Sequence, residues 1–290
     1  MFDYIFTVRP STVCNMDCTY CLGVDDIAAN RKFTTFDIDA IKWHSEQFPN
    51  NLFSFCGDGE TMLHPQFADI IIELSQITKV TWVTNGTQFN TKKFDRILTE
   101  ANLENIYGIV ISAHFGQTDM NSYLINLDST IDKLRDLRIR FGITAVVSNE
   151  NIDDIVSQAS NIRKYEIKLE SVVDYPKAGT VVNTALSNRT RNLLRLNNLR
   201  IANDANPVIT YPVIGKPCPN GSRIFEVLSD GNIIDCSYDI NRMIIGNINI
   251  KEPIKALQHR LCKFDCTYCC DMVRGGHNFN HVGFHMSFRK

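Results

Sequence analysis

Through the first half of the chain, short runs rich in Val, Ile, Phe and Tyr alternate with segments whose apolar residues recur at helical spacing. The runs at 4–8, 52–55, 80–83, 106–111, 141–147 and 167–173 predict strands, and the segments 37–48, 65–77, 92–101, 129–137 and 152–164 predict helices between them. Strands and helices in strict alternation imply repeated βα units around a parallel sheet. Six strands are too few for a closed eight-unit barrel, so an open or partial arrangement is expected. Pro65 is expected in the first turn of its helix, where its missing N–H costs little.

The alternation stops near Asp174, and an Asn-rich stretch follows with one more predicted helix at 184–199. Beyond it, two short β runs at 224–228 and 233–236 flank Asp230-Gly231, which predicts a hairpin. The pattern thus divides the chain into a βα core at 1–175, a bridging segment at 176–216 and a small second domain at 217–290. No long-period repeat and no low-complexity tract is present.

Charge changes little in this picture. Thirty basic and 32 acidic residues leave a net charge of -2 without a long run of either sign, so a nucleic-acid partner is not expected. No segment approaches the roughly 20 apolar residues of a membrane helix. The first ten residues lack a basic region followed by an apolar one, so a cytoplasmic protein without a membrane partner is expected.

Cysteine changes the picture most. Nine of the ten cysteines fall into three groups, namely Cys14, Cys18 and Cys21, then Cys218 and Cys236, then Cys262, Cys266, Cys269 and Cys270, with Cys56 apart. In a reducing compartment such clusters read as metal ligands or redox groups rather than disulfides. The first group directly follows the first strand, at the C-terminal edge of the sheet where α/β enzymes keep their chemistry. Three thiolates can hold three irons of a 4Fe-4S cube and leave the fourth without a protein ligand, as a catalytic site requires. The alternatives at this level are a zinc knuckle or a redox pair at Cys18 and Cys21.

The spacing Cys14-Asn-Met-Asp-Cys18-Thr-Tyr-Cys21 resembles the radical S-adenosylmethionine superfamily, and Gly57-Asp58-Gly59-Glu60 after the second strand resembles that family's Gly-Gly-Glu segment, with Asp58 where Gly is more frequent. The resemblance covers about residues 1–175. It implies a partial (β/α)6 barrel and a 4Fe-4S cluster whose open iron chelates S-adenosylmethionine. It also implies cofactor contacts from Tyr20, Gly59, Glu60, Thr84, Asn85, Ser112 and Asn149, with Glu60 on the cofactor's ammonium group. The chemistry so implied is reductive cleavage to a 5'-deoxyadenosyl radical that takes hydrogen from a peptide or small-molecule substrate, with an electron donor such as flavodoxin or ferredoxin.

Cys218, Gly231 and Cys236 resemble the hairpin of the accessory Twitch domain and its longer relative SPASM, which implies a second, auxiliary 4Fe-4S cluster completed by Cys266 and Cys269. Cys262 and Cys270 are then spare thiols. Cys56, His114 and Cys270 are candidate catalytic residues, the first two for their places at strand ends. His277, His281 and His285 stand four apart, but Gly275, Gly276 and Gly283 argue for a tail or lid over a metal-binding helix. A non-catalytic iron-sulfur or zinc protein and a nucleic-acid-modifying member of the same superfamily are the competing readings.

Overall fold

The β-branched and aromatic runs form strands, and parallel pairing orders them. The structure is a computed structural model describing residues 2–18, 21, 32–57, 59–116, 120–171, 186–201, 218, 220–236, 243–257 and 261. The strands are β1 (Tyr4–Val8), β2 (Asn51–Phe55), β3 (Lys79–Thr84), β4 (Ile106–Ser112), β5 (Phe141–Val147) and β6 (Lys168–Ser171), then β7 (Ile224–Val227), β8 (Asn232–Ile234) and β9 (Ile244–Asn247). The first six lie side by side in chain order, all parallel. The helices are α1 (Ile38–Gln47), α2 (Phe67–Ser75), α3 (Lys92–Glu100), α4 (Met120–Asp136), α5 (Ile152–Ser157), α6 (Ala159–Lys164) and α7 (Asn188–Leu196). This is the expected α/β architecture with a largely parallel sheet.

Side chains alternate across each strand, so one face of the sheet carries the core. Phe6, Phe53 and Phe225 share a row across β2, β1 and β7, with ring centroids 4.5 Å apart for Phe6–Phe53 and 5.1 Å for Phe6–Phe225. Trp82, Phe55 and Phe67 extend this packing as edge-on pairs. Helix starts follow capping chemistry: the Asp37 side chain accepts from the Ala40 N–H, and the Ser187 hydroxyl from the Thr190 N–H.

Several expectations are corrected. Pro65 precedes the α2 N-cap, Gln66, because a 3-10 turn at Thr61–Leu63 takes up the chain first. The helix expected at 129–137 begins at Met120, and the one expected at 152–164 is broken at Gln158 into α5 and α6. Strand β9 was not expected, since Ile244–Asn247 offers only a short apolar signal. The expected hairpin joins the same sheet: β7 runs parallel to β1, and β8 and β9 continue antiparallel beyond it, giving the order β6-β5-β4-β3-β2-β1-β7-β8-β9. Gly231 makes its turn with φ +84°, a conformation that favours glycine. Among the described residues no helix is long and apolar enough to cross a membrane.

Two core histidines make stability depend on pH. His64 Nε2 donates to the Thr34 carbonyl at 2.6 Å while Nδ1 accepts from the Gln66 N–H at 3.1 Å, so the neutral ring is fully used. His44 Nε2 donates to the Ile250 carbonyl at 2.9 Å. Burial holds both rings below the ordinary histidine range, against the pull of those carbonyls. The folded protein therefore binds fewer protons than the unfolded chain as pH falls below about 6.5, and stability is lost in that direction. Thermal melts of the metal-free protein should show a lower midpoint at pH 5.5 than at pH 8, with a shallower slope in His64→Gln; a flat profile would remove this account.

Candidate functional site

The loop after β1 is clasped by the loop after β2. The Gly59 N–H donates to the Ser11 carbonyl at 3.0 Å and the Glu60 N–H to the Val13 carbonyl at 2.9 Å. A Cβ on Gly59 would lie 2.4 Å from Val13 O and 2.8 Å from Val13 N, so only glycine lets the two backbones approach this closely. Cys14 follows directly, and the Cys21 N–H turns back to the Cys18 carbonyl at 3.0 Å. Asn15 extends the clasp to β3, its Oδ1 accepting from Asn85 Nδ2 at 2.9 Å and its Nδ2 donating to the Thr87 hydroxyl at 2.9 Å. Four strand-end loops thus meet around the triplet when His114 is added, for its Nδ1 lies 3.4 Å from Cys18 Sγ.

The electrostatics are those of a dry pocket. Burial pushes the Cys14 thiol up from its ordinary value, the Glu60 charge adding to the effect, and burial brings His114 down to about 4. His114 is thus a neutral imidazole beside Cys18 at neutral pH. A thiol held protonated by its surroundings gives up the proton when a metal binds, which couples loading to pH.

Glu60 is engaged by its own chain. Its side chain is turned inward and 3% exposed, with Oε1 accepting from the Met62 N–H at 2.9 Å and the Thr84 hydroxyl at 2.7 Å, and Oε2 from the Asn85 N–H at 2.6 Å. Burial raises its carboxyl while those donors and the nearby Lys93 charge oppose the rise. It locks the β2 loop to the end of β3, and Thr84 shares that lock. Glu60→Gln should lower stability by about 1–3 kcal/mol, because either amide rotamer sets an NH2 against a backbone N–H. A denaturant melt unchanged from the native one would overturn this.

The other expected residues divide. Gly59, Asn85 and Ser112 lie at the C-terminal edge with the triplet, and the Ser112 hydroxyl has no hydrogen-bond partner among the described residues. Asn149 is exposed, and its Oδ1 accepts from the Ser187 N–H and the Thr190 hydroxyl, both at 2.8 Å, so it holds the first turn of α7. Cys56 is half-buried, with its N–H on the Val8 carbonyl. Asn15 was missed by the sequence reading; it stands beside Cys14, but its partners lie some seventy residues away.

Cys236 stands two residues past the end of β8, where continuing the β7–β8 register would bring it level with Ile224, and Cys218 stands two residues before Asn220, which bridges to the same Ile224. Ile224 pairs with Ile5, at the far end of β1 from the triplet's loop, so the two cysteine groups are separated by at least about 10 Å of strand. The two groups are therefore not gathered into one four-cysteine set. Tyr20, Asp58, Cys262, Cys266, Cys269, Cys270, His277, His281 and His285 lie outside the described residues.

Among the described residues no three His, Cys, Asp or Glu side chains are gathered closely enough to hold a single metal ion. A 4Fe-4S cube takes each thiolate to a different iron, and three cysteines in one loop, one of them in a turn back on another, fit that donor set.

No family model and no curated protein matches the chain. Its fold is similar to that of several solved structures, two of which hold S-adenosylmethionine. One is anSMEcpe with bound AdoMet and the Cp18Cys peptide, at 18% identity over 84% of this chain and 77% of that one, with a TM-score of 0.54. A second is Streptococcus suis SuiB bound to S-adenosylmethionine, at 16% identity over 100% and 69% of the two chains, TM-score 0.54. A third is SuiB bound to the precursor peptide SuiA, at 14% identity over 100% and 68%, TM-score 0.53. At these identities the likeness is one of fold.

Proposed function

We propose that this chain is a radical S-adenosylmethionine enzyme acting on a peptide or small organic substrate. The observation that carries the reading is the clasp of Gly59 and Glu60 on the Cys14–Cys18–Cys21 loop at the C-terminal edge of a parallel sheet. The fold shared with structures holding S-adenosylmethionine supports it, and the peptides bound in two of the similar structures favour a peptide substrate for oxidation, crosslinking or epimerisation.

Cys14, Cys18 and Cys21 would hold a 4Fe-4S cluster, which when bound supplies the electron that cleaves S-adenosylmethionine to methionine and a 5'-deoxyadenosyl radical. The chain's own residues position and shield. Gly59 and Asn15 hold the cysteine loop against β2 and β3, Ser112 offers an unengaged hydroxyl for a ribose oxygen, and His114 covers Cys18 with a neutral ring. Glu60 acts through the backbone it fixes, leaving its own N–H and those of its neighbours in place. Cys218 and Cys236, with Cys266 and Cys269, would hold the auxiliary 4Fe-4S cluster of a Twitch-like region at the opposite end of β1, and flavodoxin or ferredoxin would supply the reducing electron.

The test is anaerobic: the protein is loaded with iron and sulfide, reduced, and given S-adenosylmethionine. Formation of 5'-deoxyadenosine is expected. A loaded protein that neither forms the nucleoside nor binds S-adenosylmethionine would end this reading.

A further inference from the structure

The face of the sheet opposite the aromatic core is polar at its β4–β6 side. Register places Ser112, Thr144 and Lys168 in one row across β4, β5 and β6, with Glu170 two residues further along the same face. The alternate residues Ile143, Ala145, Val147 and Leu169 are buried in the core, so this row faces the other way. It begins at the functional site, since Ser112 stands two residues before His114.

Three features of this row are unexplained by folding. Lys168 Nζ and Glu170 Oε1 are 3.0 Å apart, with side chains 17% and 22% exposed, yet both atoms are shut off from solvent and neither has a well-formed hydrogen bond. The Ser112 and Thr144 hydroxyls, both half-buried, have no hydrogen-bond partner among the described residues. Gly142, on the same face one pair back from Thr144, has nothing within 4 Å of where its Cβ would stand. Burying an ion pair without completing its hydrogen bonds costs stability that an apolar pair would not, and such a site keeps donors and acceptors in reserve. Burial also holds the Lys168 amine below the ordinary lysine range, against the pull of Glu170.

We propose that the Lys168–Glu170 pair opens to form a subsite for an amide group of the substrate, the ammonium turning out of its buried position to donate to the carbonyl oxygen and the carboxylate accepting from the N–H. The pair is neutral as a whole, so an anionic group meets Glu170 and a cationic one meets Lys168, each at a cost. A group with an acceptor and a donor side by side engages both, as one residue of an extended peptide does. The space over Gly142 admits the chain, and Thr144 and Ser112 continue the polar row toward the cysteine loop, Ser112 standing two strand spacings or about 10 Å from Lys168. This subsite deepens the function proposed above and rests on it for the reaction, though not for the binding.

The experiment uses the full-length, cluster-loaded protein with 13C-labelled lysine, the Lys168 Cε signal being identified by its loss in Lys168→Met. Acetyl-Ala-Ala-Ala-amide is the probe, with acetate and ethylammonium as charged comparators. The tripeptide should move the Lys168 signal saturably while neither comparator does, and Glu170→Gln, which keeps side-chain size, should weaken that titration by about tenfold. An unmoved signal, an equal response to either comparator, or a titration indifferent to Glu170→Gln would overturn the assignment. S-adenosylmethionine binding in the same sample separates the two readings: its failure in the native protein removes the parent function, while its retention beside a failed tripeptide titration removes only the subsite.

Discussion

Replacing Cys14, Cys18 and Cys21 together by alanine should abolish 5'-deoxyadenosine formation and iron retention at this site while leaving the protein folded. The thiols contribute little to the fold. Cys14 and Cys21 are half-buried, and the bonds that dock their loop run through the Ser11 and Val13 carbonyls and the Asn15 amide. A buried cysteine behaves as a small hydrophobe, so each exchange costs about 1 kcal/mol or less. Each single variant should lose nearly as much activity as the triple one, because groups acting as a unit are not additive. Iron per chain, nucleoside yield and a far-ultraviolet melt decide the matter together. Native nucleoside yield in the triple variant would show that the cleavage chemistry resides elsewhere in the chain.

Gly59→Ala should be nearly as damaging, by a different route. Its methyl group would stand 2.4 Å from Val13 O, 2.8 Å from Val13 N and 2.9 Å from Ser11 O, all backbone atoms that no rotamer change can move aside. The clasp must open, losing the bonds from Gly59 to Ser11 and from Glu60 to Val13 and displacing Cys14 with them. Overpacking of this kind costs about 1–3 kcal/mol in a well-packed region. The larger effect falls on the loop's geometry, so cluster loading should fail even where the fold survives. Gly57→Ala is the milder comparison, since its Cβ would meet Arg9 Cβ at 3.1 Å and Arg9 Cα at 3.2 Å, contacts that a shift of a few tenths of an ångström relieves, against 2.4 Å at Gly59. Equal iron retention in both variants would mean that the clasp does not position the cysteines.

The local parts of this protein are written in its sequence. Period-2 runs of Val, Ile and Phe mark β1 to β6 within a residue or two, since alternation along a strand and capping by Asp37, Thr91 or Ser187 depend on near neighbours alone. The cysteine triplet is equally local, so its spacing can be read before any fold is known. What sequence leaves open is which strand lies beside which and which way a polar side chain turns. Glu60 carries the same letters whether it faces a ligand or the Thr84 hydroxyl and Asn85 N–H some twenty-five residues away, and only the packing of β2 against β3 decides. The placement of β7 beside β1 rests on pairing across more than two hundred residues, and the short run of β9 becomes a strand only because β8 offers it an edge. Nothing local marks Lys168 and Glu170 until parallel register sets Lys168 in a row with Thr144 and Ser112 and Glu170 beside it on the same face. Residue type and spacing therefore determined the chemistry on offer, and long-range backbone pairing decided which of those groups meet, because a hydrogen-bonded register links positions that no local pattern connects.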